Sequence, residues 1–289
     1  MRRPVLLFAL LAGCGLPEVQ PINEVKKLEP AKAVPKDSKA DTKTDRPAPP
    51  PSPAPETGPF KRLGDAAQQR DDLTFWGWST DNTRYAFEVH DHGPGAMGCE
   101  GSYTLFVVDA TRDAFVDGTP LKVEHKNKGD DNCDPPDLAA EMERQRPAAL
   151  QQHGIDVTNQ RQPILPRRIS TTTGREQHPA WLFQLGPGTQ LRAELEVLHG
   201  GRDKAGEPGG AYRLTLSGGD VQKVVEPGER RRPFVWNYSL DDGMAFLAPD
   251  GRHLAILVGT TQLSFEGDRH SVMSNAVALP PAWIPGALP

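Results

Sequence analysis

The chain lacks the features that would place it in several large protein classes. No apolar run approaches the roughly 20 residues that a bilayer-spanning helix needs. The greasiest stretch, Val5-Leu6-Leu7-Phe8-Ala9-Leu10-Leu11, is far shorter. Positive charge is not in surplus: 33 Lys and Arg stand against 38 Asp and Glu, a net charge of −5, which makes a poor nucleic-acid binder. There is no Walker phosphate loop, no His-Glu-x-x-His helix and no Gly-x-Ser-x-Gly elbow, so none of those chemistries is signalled. Cysteine occurs only three times in 289 residues, and one of the three closes the apolar stretch.

That cysteine fixes an address. Arg2 and Arg3 form a basic head ahead of an apolar core of signal-peptide length. Leu11-Ala12-Gly13-Cys14 resembles the bacterial lipobox, in which cleavage precedes a cysteine that already carries diacylglycerol. The resemblance implies removal of residues 1–13, a lipidated Cys14 and a mature charge that falls from −5 to −7 with the loss of both arginines. Two or three acyl chains give stable anchoring. Gly15 follows Cys14 where an Asp would retain the protein, so the expected location is the bacterial cell envelope, lipid-anchored at the outer membrane. An ordinary secretory signal is the plainer alternative.

Residues 14–59 are rich in Pro, Ala, Lys, Glu and Asp, with almost no large apolar side chain after Leu28. Such a segment cannot bury enough surface to offset its ordering entropy. It reads as a disordered linker, about 40 Å long if coiled and about 140 Å if extended. Residues 60–289 remain as a single β-rich domain, long enough for a substantial core.

The texture of that domain is mainly β. Runs such as "LTFWGWS", "RYAFEVH", "YTLFVVDA", "AWLFQL", "LRAELEVLH", "AYRLTLS", "FVWNYSL", "MAFLA" and "HLAILVGT" recur between Gly, Pro, Asp and Asn. Ten or eleven strands predict an antiparallel β-sandwich or open barrel. One helix is expected in "DPPDLAAEMERQRPAALQQHG", capped by Asp134, ending at Gly154 and kinked or divided by Pro147 near Arg146. Leu138, Met142, Ala149 and Leu150 share its apolar face.

"STDNTRYAFEV" aligns without gaps on "APDGRHLAILV", pairing Asp81 with Asp250 and Asn82 with Gly251. Both read as strand, tight two-residue turn and strand, and both resemble the hairpins of TolB-type propeller blades. "FWGWSTDNTRYAFEV", "YTLFVVDATRDAFVDGTPLKV", "AYRLTLS" and "APDGRHLAILV" with "FEGDRH" together resemble a family of bacterial predicted secreted proteins with a domain of unknown function. The resemblance runs from about Asp72 to Leu279. It implies export and a single domain, and it brings no catalytic residues.

Chemistry must therefore come from the residues themselves. Glu88, His90 and His92 sit two apart, so a continuing strand projects them from one face, opposite Tyr85, Phe87 and Val89. They form a candidate transition-metal trio, and a solvated polar face is the plainer reading. Trp76 and Trp78 are expected on a shared face, as a binding platform if exposed and as core if buried. Asp130, Asp131, Asp134 and Asp137 have no calcium-loop spacing, and capping and solubility explain them more simply. "GPGAMG", Gly93 to Gly98, matches a dinucleotide loop in letters only, because a strand follows it rather than a helix. With Cys14 acylated, Cys99 and Cys133 remain for one disulfide in an oxidising compartment; two free thiols are the alternative.

The expected function is a non-enzymatic, lipid-anchored envelope protein that binds an envelope protein or glycan. No cofactor is expected beyond the acyl lipid on Cys14, and partners exclude nucleic acid. The alternative is a metal-dependent or hydrolytic envelope enzyme using the Glu88, His90 and His92 strand face.

Overall fold

Residues 58–65, 70–93, 101–125, 137–173, 176–198, 209–264 and 267–286 are described by a computed structural model of the chain. Cys14, Cys99, Cys133, Asp130, Asp131, Asp134 and tether residues 14–57 lie outside them.

Strands β1 (Phe60–Arg62), β2 (Asp72–Ser79), β3 (Arg84–Asp91), β4 (Gly101–Asp109) and β5 (Ala114–Phe115) follow one another across an antiparallel sheet. β6 (Leu121–His125) continues along β4, and β7 (Ile155–Asp156) along the end of β2. A second sheet is built from β8 (Arg167–Thr173), β9 (Glu176–Gly186), β10 (Thr189–Leu198), β11 (Gly209–Gly218) and β12 (Val221–Pro227), with β13 (Arg232–Pro233) beside β11. The third contains β14 (Val235–Leu247), β15 (His253–Ser264) and β16 (Gly267–Ala278).

The three-stranded sheet is the middle layer. Leu254, Ile256 and Val258 of β15 pack with Phe183, Leu191 and Leu214 of the six-stranded sheet. Ala255 and Leu257, on the opposite face, pack with Leu73, Phe75, Trp78 and Phe87 of the seven-stranded sheet. Both faces are dry, which is why "LAILV" is an unbroken apolar run rather than an alternating one. The mainly β, sandwich-like architecture agrees with the sequence, and the sheets do not close into a barrel.

The helix α1 (Leu138–Gln152) covers part of the outer face of the seven-stranded sheet, where Met142 and Leu150 meet Ala86, Leu105 and Val107. Its cap is Asp137, whose side chain accepts from the Ala140 N–H at 2.9 Å, and not Asp134. In sequence terms, a residue before proline disfavours the α region, so the Pro135-Pro136 pair argues against a start at Asp134. The helix runs undivided through Pro147. Pro147 faces solvent, while Met142 and Leu150 pin the segments on either side of it.

Two further expectations change. The connections Thr80–Thr83 and Ala248–Arg252 are four and five residues long rather than two. Their likeness nevertheless extends to geometry. Asn82 donates its N–H to the Ser79 carbonyl and Gly251 to that of Ala248, both with positive φ, and Asp81 and Asp250 each accept from the N–H two residues on. Trp76 and Trp78, in turn, do not share a face. β2 and β3 change register between Phe75 and Gly77, leaving Trp76 as the extra residue of a β-bulge. One extra residue reverses the side-chain parity that follows. Trp78 therefore joins Leu73 and Phe75 in the core, fully buried, while Trp76 faces α1.

Candidate metal centre and its cleft

Alternation along β2 sends Asp72, Thr74 and Trp76 to the face that α1 partly covers. The register places Asp72 opposite His90 and Thr74 opposite Glu88, and the next strand brings Tyr103 opposite His90. Directly opposed residues share a face, so five polar or aromatic side chains from three strands meet there.

Asp72 is the hub. Its Oδ2 lies 3.0 Å from His90 Nδ1 and 3.3 Å from His92 Nε2. Its Oδ1 accepts the Gly64 N–H at 2.5 Å. Burial works to raise the Asp72 carboxyl, but the Gly64 N–H and the two histidines outweigh it and hold the group below its ordinary range. The His90 imidazole is pushed down by burial against the opposing pull of Asp72. His90 also stacks on Tyr103, with ring centroids 3.9 Å apart and planes 7° apart.

The donor atoms of Asp72, His90 and His92 all lie within 4.8 Å of one another. An ion with bonds near 2.1 Å separates its tetrahedral ligands by roughly 3.4 Å. The two His–Asp distances are close to that edge length. Two imidazoles and a carboxylate are a donor set for zinc and neighbouring first-row ions.

The expected trio is thus changed in one member. His90 and His92 are brought together, and Asp72 takes the place expected for Glu88. Glu88 is buried and bound in two places by Arg146 of α1, Nε to Oε2 at 2.8 Å and Nη2 to Oε1 at 3.0 Å. The Arg146 guanidinium lies 4.5 Å above the Trp76 ring. Beside the metal donors these residues floor a cleft of about 210 Å³, whose rim includes Arg62 and Glu143.

Spacing along β3 does not point to Asp72, which stands on another strand. Counting outward from the Ser79–Arg84 turn without a bulge would set Asp72 opposite Asp91; the extra residue at Trp76 sets it opposite His90. The visible signal was Gly77 between two tryptophans, since glycine within a strand marks a bulge.

Residues 100–277 match the family described as "Predicted secreted protein", with domain of unknown function 2259. The chain belongs to this family. No curated protein and no solved structure matches it. In this family member the matched segment starts after His92, so it takes in Tyr103 and Arg146 and leaves Asp72, Glu88, His90 and His92 ahead of it. Among the described residues no helix is long and apolar enough to cross a membrane.

Proposed function

We propose that this secreted protein is an envelope lipoprotein, anchored at the outer membrane through Cys14, whose β domain binds a divalent transition metal at Asp72, His90 and His92. The convergence of two imidazoles on one carboxylate oxygen carries the metal reading. The basic head, apolar core and lipobox support the anchor. The role is binding rather than turnover: the buried carboxylate of the cleft, Glu88, is neutralised by Arg146 and is poorly placed to move protons. The tether lets the domain reach an envelope protein or glycan while its lipid stays in the membrane.

A second reading is a metal-dependent hydrolase, because three protein ligands leave a coordination position open beside the cleft. Metal analysis of the mature chain tests the site itself. Stoichiometric zinc or copper is expected, lost in Asp72→Ala and His92→Ala and kept in Glu88→Gln. A chain that takes up neither ion, or loses it only in Glu88→Gln, would refute the assignment. Hydrolysis of a model ester by the loaded chain, abolished by the same ligand variants, would favour the second reading. Incorporation of a clickable palmitate that persists in Cys14→Ser would remove the anchor.

A further inference from the structure

On the opposite side of the seven-stranded sheet from the cleft, the sandwich opens at one edge. β16 is an outer strand of the middle sheet, hydrogen-bonded on one side to β15. Among the described residues its other side is engaged near its two ends, at the C-terminal one also by Lys223, whose Nζ donates to the Ala278 carbonyl at 2.9 Å. The Asp71 N–H donates to the His270 carbonyl at 3.0 Å, and the Ala276 N–H donates to Asp113 Oδ1 at 2.6 Å. Backbone groups alternate in direction along an antiparallel strand. Those of Val272 and Ser274 therefore point the same way as those of His270 and Ala276, out from the sheet. Among the described residues no backbone group pairs with them.

This open stretch stands at the mouth of an apolar pocket of about 580 Å³. Phe87, Phe106, Val108 and Phe115 form its wall on the seven-stranded sheet. Phe115 is 53% exposed, although its ring lies 5.3 Å from that of Phe106. Arg230 and Arg232 stand at the rim, with Asp113 as the carboxylate between sheet and rim. Asp113 is already engaged by the Ala276 N–H, and Arg230 lies 4.0 Å from its second oxygen. The pocket lining thus sets two arginines against one carboxylate, with Glu226 buried behind them.

A bare strand edge invites another strand, and proteins ordinarily blunt such edges. Here the ends are blunted and the middle is open, directly above an aromatic pocket. We propose that the β16 edge is a docking site for a short extended peptide of a partner protein. Its backbone would pair with Val272 and Ser274, its apolar or aromatic side chain would fill the pocket, and a flanking acidic residue would meet Arg230 and Arg232. Main-chain pairing supplies affinity in this mode, and the pocket and rim supply specificity. An acyl amphiphile would use the pocket and the arginines but leave the strand edge idle, so the unpaired edge favours the peptide.

The test is selection of a random displayed dodecapeptide library on the mature chain. Enriched peptides should share an apolar anchor next to Asp or Glu and should protect the Val272 and Ser274 amides from hydrogen exchange. They should bind Phe115→Ala and Arg230→Glu, both at exposed positions, at least tenfold more weakly. Absence of enrichment over the naive library would overturn the proposal. So would peptides that bind both variants like wild type, or saturable decanoate binding in the pocket with no peptide selected.

Discussion

The two faces of the seven-stranded sheet come from the same strands and have opposite fates. Leu73, Phe75, Tyr85 and Phe87 look inward onto a second sheet, where Phe75 stacks on Phe246 with ring centroids 3.8 Å apart. Asp72, Thr74 and Glu88, each next to one of these, and His90, next to the inward Val89, look outward beneath a single helix. A sheet can cover a sheet. A 15-residue helix cannot, and the uncovered strip is where polar groups remain wet enough to hold charge and enclosed enough to hold shape. The candidate metal centre lies in that strip because α1 leaves it open.

The sharpest way to break the contrast is at Arg146. It is the place where the outer face behaves like a core, with Arg146 and Glu88 side chains only 14% and 6% exposed. Removing one partner of a buried pair strands the other charge, at about 3–5 kcal/mol. Arg146→Met should lower stability by that much in urea unfolding. The double variant Arg146→Met with Glu88→Leu should recover most of it, and a double variant as unstable as the single one would show that the pair does not act as a unit.

Next come the two tryptophans. Trp78→Ala removes a fully buried side chain from the aromatic core and should cost about 3–5 kcal/mol. Trp76→Ala removes the ring beneath Arg146 and should cost about 1 kcal/mol. Equal losses in thermal or urea unfolding would contradict the assignment of these neighbours to opposite faces.

Asp71 and Asp72 extend the contrast to pH. Asp71 is buried beside Arg269, and desolvation raises its carboxyl from 3.8 to about 6 against the pull of that arginine and Ser271. Between those values the folded state holds a proton that the unfolded state has released. The Asp71 contribution is therefore fully present at low pH and is lost as pH rises from about 4 to about 6, by at most about 3 kcal/mol. Asp72 is lowered, so its contribution is present above the ordinary carboxylate range and is lost as pH falls below it. Asp71→Asn should flatten the decline in urea stability between pH 4 and pH 7. A variant with the wild-type slope would show that Asp71 does not titrate in that window.

Much of the fold was legible because burial writes itself as apolar runs. β2, β3, β4, β9, β10, β11 and β15 all lie on segments marked by such runs. β8, "RRISTTT", carries one large apolar residue, Ile169, and so shows no such run; its pairing with β9 is visible only in the fold. β14 spans two of the sequence runs, "FVWNYSL" and "MAFLA", and the Asp241-Asp242-Gly243 between them has turn composition. In the fold it is a bulge within one strand, with Asp241 accepting from Trp181 Nε1 and from Arg168. The site follows the same logic. The two-residue spacing of His90 and His92 was readable along one strand, whereas Asp72 depended on register across two.

That register turns on Gly77, which makes it the finest test of the comparison. Gly77 holds φ at +122°, a region closed to side chains, and a Cβ there would lie 2.6 Å from the Asp156 carbonyl oxygen. Gly77→Ala must strain the bulge or displace β7, at about 1–3 kcal/mol. If the bulge yields to relieve that strain, the pairing that sets Asp72 opposite His90 loosens with it, and Trp78 loses its place on the inner face. The variant should therefore show a modest fall in urea stability together with weaker uptake of added zinc, although Gly77 touches no metal donor. Glu143→Ala, an exposed change on the rim of the cleft, should alter neither. A Gly77→Ala chain with reduced stability and unchanged zinc uptake would separate the bulge from the site, and would mean that Asp72 reaches the histidines by some means other than the register of β2.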